Sequence, residues 1–206
     1  MNEKQQKLAA LAQMLGHPAG DQALSLAQHM HSHNFNMTKN AIDLLDIHAA
    51  SEVLELGHGN AHHLGYFHQQ LPSSTYTGLE IALAMQQEAI AFAQQLPQLK
   101  ASFDLYDGKI FPYKDQQFDA VFAVNNLYFW NKPQQTFQEI HRVLKADGML
   151  VLSVGSYQFM KSLPFTDYGF RLYREEALEN LLRKNNFKLI KVVKIMDEAI
   201  NKLGDP

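Results

Sequence analysis

Four short stretches of this chain carry residues with chemistry to offer. The first is Glu52-Val-Leu-Glu-Leu-Gly-His-Gly-Asn-Ala61. A β-type run stops there at Gly57-His58-Gly59, and apolar residues then recur at Ala61, Leu64, Phe67 and Leu71, the spacing of one helical face. Strand, glycine turn and helix present free backbone N–H groups at the positive end of a helix. Gly57 and Gly59 permit positive φ and close approach of backbone to a ligand. The plain alternative is an ordinary βα turn with two convenient glycines. The other stretches are Glu80, Asp107-Gly108 and Asn125-Asn126, each closing a β-type run. Open α/β sheets bind ligands beyond the carboxyl ends of their strands, where Glu55 also sits. Three carboxylates there suit a phosphate poorly; they suit a ligand that offers hydroxyls and amino groups and carries positive charge. Glu80 stands where dinucleotide folds hydrogen-bond ribose hydroxyls. Asp107 can accept from an exocyclic amine, with the Gly108 N–H presented to a ring nitrogen. Acidic residues also end strands as helix caps, which is the competing reading.

The elements that must position these residues alternate from residue 52 onward. Strands are expected at about 52–56, 75–80, 101–106, 118–125, 149–154 and 187–195. Helices are expected at about 60–70, through Met85, Ala89 and Phe92, at 133–144 and at 174–185, with Asp147-Gly148 as a turn. Phe118-Asp-Ala-Val-Phe-Ala-Val-Asn125 is nearly continuous in apolar residues, as a parallel strand buried on both faces would be. Such alternation calls for a doubly wound, mostly parallel α/β sheet with helices on both faces. Ahead of it, helices are expected at 3–15, 21–31 and from Thr38 to Asp46, broken by Gly16-His17-Pro18-Ala19-Gly20. They either cap a sheet edge or cover the ligand cleft. The chain reads as one domain: a helical cap over 1–48, a ligand-binding core over 49–195 and a short tail over 196–206.

Composition narrows the function. At 206 residues one domain would bury roughly 70% of its unfolded surface. Apolar residues at 46% and charged residues at 19% describe a globular protein. A net charge of −3 argues against nonspecific binding to nucleic acid or an anionic membrane. With no cysteine there is no disulfide, thiolate metal site or cysteine nucleophile. The polar N-terminus and the absence of any apolar run near 18 residues point to a cytoplasmic protein.

Val53-Leu-Glu-Leu-Gly-His-Gly-Asn60, Gly78-Leu-Glu80, Asp107-Gly with Phe111-Pro112, Phe118-Asp119 and Glu139-Ile-His-Arg-Val-Leu-Lys-Ala-Asp-Gly-Met-Leu-Val-Leu-Ser153 occur in order. Together they resemble class I S-adenosylmethionine-dependent methyltransferases, and among these the small-molecule branch that includes ubiquinone and menaquinone biosynthesis enzymes. The resemblance covers about residues 50–195. It implies a Rossmann-like sheet of order 3-2-1-4-5-7-6 and a methyl transfer from S-adenosylmethionine to a small-molecule acceptor, leaving S-adenosylhomocysteine. It places Glu55, Gly57, His58, Gly59 and Asn60 at the methionine part, Glu80 at the ribose, and Asp107 and Gly108 at the adenine. Ile81 and Asn125 are further cofactor contacts. The pattern E-x-G-x-G-x-G is met by Glu55, Gly57 and Gly59, with Ala61 in place of the last glycine, a change expected to add only a methyl where helix and strand pack. An NAD-dependent reductase would want a third glycine or alanine where this chain has His62. A non-catalytic cofactor binder or dimeric scaffold is the other alternative.

Asn125-Asn-Leu-Tyr-Phe-Trp130 occupies the position bordering the transferable methyl in that family. Asn125 is expected to orient the acceptor and Tyr128 to assist proton transfer. Tyr128, Phe129 and Trp130 are expected in the acceptor pocket or beside the sulfonium, whose charge an aromatic face stabilises. Asn36 and Met37, in a segment where the family folds a lid, and Phe165 and Tyr168 after the 149–154 strand complete that pocket. The histidines make no metal site: His29, His31 and His33 alternate, so in a helix they point apart, and His58 and His62 lack a carboxylate partner. Finally, no β-type run follows 187–195. Either the seventh strand is absent, or the chain is shortened, or a partner chain supplies it, and an unpaired apolar edge on the 149–154 strand favours a homodimer.

Overall fold

The computed structural model describes residues 1–18 and 22–196, with residues 22–30 followed by backbone alone. The expectations for Ala19-Gly20 and for the tail beyond Met196 lie outside the described residues. Helix α1 (Glu3–Gly16) starts at a reciprocal cap in which Asn2 Oδ1 accepts from the Gln5 N–H and Gln5 Oε1 accepts from the Asn2 N–H, both at 2.9 Å. Helix α2 (Gln22–Asp43) is one continuous element, where the sequence suggested two helices parted near Asn34-Phe-Asn-Met37. It continues because its polar residues are bonded. Thr38 Oγ1 donates to the Asn34 carbonyl at 3.2 Å, and Asn34 Oδ1 takes a hydrogen bond across to the sheet.

The core then alternates: β1 (Glu52–Leu56), α3 (Leu64–Gln70), β2 (Thr75–Glu80), α4 (Leu83–Ala93), β3 (Lys100–Leu105), β4 (Phe118–Val124), a 3₁₀ turn (Leu127–Phe129), α5 (Pro133–Val143) and β5 (Leu144–Ser153). The last described elements are α6 (Tyr157–Ser162), a second 3₁₀ turn (Pro164–Asp167) and α7 (Glu175–Lys184). The five strands are all parallel, in the order β3-β2-β1-β4-β5, which is the doubly wound arrangement with its crossover between β1 and β4. One apolar layer, including Ile42, Val53, Phe67, Tyr76 and Phe122, lies under α2, α3 and α4. The other, including Leu54, Leu79, Phe118, Val121 and Phe137, lies under α5 and α7. β4 is buried on both faces because it is central: Phe118, Ala120, Val121 and Phe122 are 0% exposed.

Four differences from the sequence reading have physical causes. The helix after β1 starts at Leu64, since Ala61-His62-His63 are taken up by turns that close on the His58 and Ala61 carbonyls. Helix α6 lies in a stretch to which the sequence reading assigned no element, and Ser156 caps it by accepting from the Phe159 N–H at 3.3 Å. Asp147-Gly148 lies within β5 as part of a bulge: Leu144 aligns with Phe118 and Met149 with Ala120, so residues 145–148 all lie opposite Asp119. Lys145 Nζ bonds Asp119 Oδ1 at 2.8 Å across it. Last, residues 187–196 form no strand, so a sixth strand and a seventh are not among the described residues; a β-type run without a ladder partner has nothing to hold it extended. Replacing Phe122 by Ala should cost about 3–5 kcal/mol, read from urea unfolding, because it empties the centre of the buried strand.

Candidate functional site

The carboxyl ends of β1, β2, β3 and β4 open onto one cavity of about 410 Å³, within the range of small-ligand sites. Glu80, the last residue of β2, organises it. Its Oε2 accepts from the Gly59 N–H at 3.1 Å, and its Oε1 accepts from the Ile81 and Ala82 N–H groups at 2.7 and 3.2 Å. The carboxylate therefore ties the glycine turn after β1 to the start of α4. Gly57 and Gly59 both take positive φ, 68° and 58°. A side chain at Gly57 would meet Asn126 Nδ2 at 2.4 Å, whereas one at Gly59 would project into open space. Ala61, in place of a third glycine, is held at φ 54° and fully buried, so the alanine adds left-handed strain as well as a methyl.

Glu55 does not face the ligand space freely. Its Oε2 is 2.6 Å from His63 Nε2 and also accepts from the Tyr76 hydroxyl, and all three groups are buried. Such a pair anchors the turn from beneath: removing one partner would leave a buried polar group unmatched. The His58 ring likewise turns back onto the sheet. Its Nδ1 lies 2.7 Å from the Gly59 carbonyl, an acceptor, so Nδ1 carries the proton and the buried Nε2 is left without a partner. The ring stands over Gly78 and edge-on to Phe103, with centroids 5.1 Å apart. A Cβ at position 78 would lie 2.5 Å from His58 Cδ2 and 2.9 Å from Phe103 Cδ1, so a glycine in mid-strand makes room for the histidine. Burial pushes the His58 pKa below its usual value, against the pull of Glu80 and Glu55.

At the β3 end, Asp107 is largely exposed. Its Oδ1 accepts from the Lys109 N–H at 3.0 Å, and its Oδ2 pairs with Lys109 Nζ at 3.1 Å. Gly108 takes φ 78° with nothing facing its missing side chain. At the β4 end, Asn125 (φ 52°) is held from both sides. Its Nδ2 donates to Asn34 Oδ1 at 2.8 Å and approaches Met37 Sδ at 3.1 Å. Its Oδ1 accepts from the Gly155 N–H and the Tyr128 hydroxyl, each at 3.3 Å. Asn126, which also borders the cavity, donates through Nδ2 to the Leu56 carbonyl, while its buried Oδ1 has no hydrogen-bond partner.

Glu55, Gly57, His58, Gly59, Asn60, Glu80, Ile81, Asp107, Gly108 and Asn125 thus all border the one cavity. Of the residues expected around an acceptor, Phe129 and Trp130 border it as well; Asn36, Met37, Tyr128, Phe165 and Tyr168 do not. Asn36 is exposed on α2, and Met37 sits behind Asn125. The Tyr128 hydroxyl is buried and accepts from the Gly155 N–H at 2.6 Å. Burial raises its pKa well above the ordinary tyrosine value, so it positions Asn125 and is ill suited to move a proton. Phe165 packs against Phe170, 5.6 Å away, which in turn contacts Phe129. In their place the N-terminal helices supply Met14, Gly16, His17, His31, Asn34 and Thr38. Gly16 fits because a Cβ there would lie 2.7 Å from the Phe129 ring. The histidine spacing in α2 was read only for metal, and only the folded chain shows His31 turned to the cleft. No group of three His, Cys, Asp or Glu among the described residues can hold a metal ion, and no described helix is long and apolar enough to cross a membrane.

Comparison with known proteins agrees with this geometry. Residues 54–152 match the family described as "Methyltransferase domain". Malonyl-[acyl-carrier protein] O-methyltransferase of Marinomonas sp. (strain MWYL1) is 26% identical over 126 residues, 61% of this chain and 46% of that protein, so the chain spans less than half the length of this curated relative. A methyltransferase solved in complex with the Haloferax volcanii Trm112 methyltransferase activator superposes with a TM-score of 0.72 at 20% identity, covering 87% of this chain and 75% of the other. An S-adenosylmethionine-dependent methyltransferase from Aquifex aeolicus gives 0.70 at 15% identity, over 91% and 92%. The family match thus falls on the core from β1 to β5, and the fold is shared with these solved structures.

His31 yields a prediction about pH. Burial, with His63 and His62 adding to it, pushes its pKa from 6.5 to about 4. Below pH 6.5 the unfolded chain takes up a proton that the folded chain refuses, so stability is complete above that value and falls as pH drops toward 4. Urea unfolding of His31→Asn should show a shallower acid limb than the parent, though not a flat one, since His58 contributes with the same sign.

Proposed function

We propose that this chain moves a methyl group from S-adenosylmethionine to a small-molecule acceptor that carries no negative charge. The observation that carries the reading is convergence: the 57–59 bend, Glu80 and Asp107-Gly108 open onto one cavity rather than onto separate surfaces. The donor set fits the cofactor. Glu80 has about four lone-pair sites and three N–H partners, so it can still accept from a ribose hydroxyl, and Asp107 with the Gly108 N–H suits the edge of an adenine. Bound there, S-adenosylmethionine would supply a methyl already activated by a sulfonium.

The protein's share is then alignment and exclusion of water. Asn125, pinned by Asn34, Tyr128 and Gly155, orients the acceptor at the β4 tip. Phe129 and Trp130 give the cleft an apolar wall suited to a passing cation. His31, neutral at physiological pH, accepts a hydrogen bond from the acceptor. The acceptor is taken as carrying no negative charge because, among the described residues, neither lysine nor arginine lines the cavity, and residues 19–30 contain neither. A malonyl carboxylate of the kind named in the Marinomonas relative would find no cation to hold it.

S-adenosylhomocysteine at 100 times its dissociation constant should stabilise the protein by about 2.7 kcal/mol, a rise in melting temperature of roughly 5–10 °C for this size. NADH should give none. Gly59→Val, whose side chain would enter the open cavity from a positive φ, should abolish the rise, and Glu80→Ala and Asp107→Ala should reduce it. A shift with NADH alone would favour a reductase. Binding without methyl transfer across a panel of hydroxyl and amine acceptors that carry no negative charge would favour a non-catalytic binder.

A further inference from the structure

A second cavity, of about 340 Å³, shares Phe129, Trp130 and Asn131 with the first. Its size lies within the range of small-ligand sites. Two segments distant in sequence form it: residues 128–131 after β4, and residues 169–171 after the second 3₁₀ turn. The Arg171 N–H donates to the Tyr128 carbonyl at 3.0 Å and joins them. Gly169 takes φ 91°, and nothing lies within 4 Å of where its side chain would stand, so that part of the wall is bare backbone.

The lining has a definite chemistry. Tyr128, Phe129, Trp130 and Phe170 are aromatic, and the last three are only partly buried. Phe170 packs against Tyr128 and Phe129 at 5.8 and 4.6 Å between ring centroids, and Trp130 against Phe137 at 5.2 Å, so these rings are held in place. Arg171 carries the one full charge of the lining, which includes no carboxylate. Among the described residues it makes no ion pair, whereas Arg142 and Arg183 do. Burial raises the Tyr173 pKa against the pull of the Arg171 guanidinium nearby; with five N–H donors, that guanidinium keeps several for a ligand. The first cavity has the opposite character, with Glu55, Glu80 and Asp107 in its described lining and neither lysine nor arginine.

We propose that the second cavity binds a small aromatic carboxylate, a molecule distinct from both cofactor and acceptor. Its ring packs against Trp130 and Phe170, since aromatic rings gain from offset or edge-on contact. Its carboxylate pairs with Arg171, whose planar fork matches two oxygens at once. A bare inorganic anion would leave the aromatic faces wet, and a neutral arene would leave the guanidinium unmatched. The two cavities thus sort ligands by charge: the carboxylates of the first repel an anion and suit a sulfonium, and the arginine of the second does the reverse. Both can be filled together. The assignment does not rest on the methyl-transfer reading.

Trp130 is the only tryptophan of the chain, so its indole N–H gives a single nuclear magnetic resonance signal that reports on this cavity. Naphthoate, titrated into the whole chain with and without S-adenosylhomocysteine, should shift that signal to a plateau in both cases. Naphthamide, its neutral counterpart, should bind about tenfold more weakly, the worth of a hydrogen-bonded charge. Arg171→Gln should lower the affinity for naphthoate to that for naphthamide, and Arg171→Lys should restore part of the difference. Arg171 is exposed, so the circular dichroism of both variants should match the parent's. No shift with naphthoate, equal affinity for the two probes, or a preference that survives Arg171→Gln would overturn the proposal. So would a naphthoate shift that S-adenosylhomocysteine abolishes, since that would place naphthoate in the first cavity. If S-adenosylhomocysteine moves neither the signal nor the melting temperature, the cofactor reading fails by itself, and the titration with naphthoate alone still decides this one.

Discussion

The site depends on one carboxylate. Glu80 ends β2 in a buried position and spends both oxygens on backbone N–H groups, one from the turn after β1 and two from the start of α4. Charge-assisted bonds to amides are among the stronger polar interactions in a fold. Here they fix the relative height of two strand tips that belong to different βα units. A second tie, from the Gly57 N–H to the Leu79 carbonyl at 2.8 Å, works in the same direction. The glycine bend is thus held from β2 and, through His63 and Glu55, from below. The bend is held by the chain's own bonds, which limits the ordering cost of binding there.

The remaining walls are set by contacts far apart in sequence. Asn125 is held by Asn34 from α2 and by Gly155 beyond β5, 91 and 30 residues away. Helix α1 closes against Phe129 at Gly16. The N-terminal helices therefore wall one side of the cavity and the strand tips the other. The polar residues the helices contribute, among them His31, Asn34 and Thr38, include no lysine or arginine.

The parallel sheet and the strand-tip side of the cavity were legible in the sequence because both are local. A strand's carboxyl end can be read from its own residues, and the doubly wound topology brings such ends together. Glu55, Gly57, Gly59, Glu80, Asp107 and Asn125 were expected at one cleft in that way, and they border one cavity. The side walled by the N-terminal helices was not legible, since His31, Asn34 and Thr38 enter the cleft only once α2 runs unbroken over β4. Asn34-Phe-Asn reads as a helix breaker until its side chains are seen bonded elsewhere. Tyr128 was assigned to proton transfer by position, and its burial under Gly155 could not be read from spacing. The expected strand at 187–195 shows the converse: β propensity was plain, but a strand needs a neighbour, and propensity does not supply one.

The seat of His58 over Gly78 has a consequence beyond this one molecule. The constraint runs one way. Residue 58 is free to shrink while 78 stays glycine, but a side chain at 78 requires that 58 has already shrunk and that Phe103 has given way, and a chain that keeps an imidazole at 58 is confined to glycine at 78. Among kindred sequences an imidazole at 58 should therefore be accompanied by glycine at 78, while glycine at 78 sets no limit on residue 58.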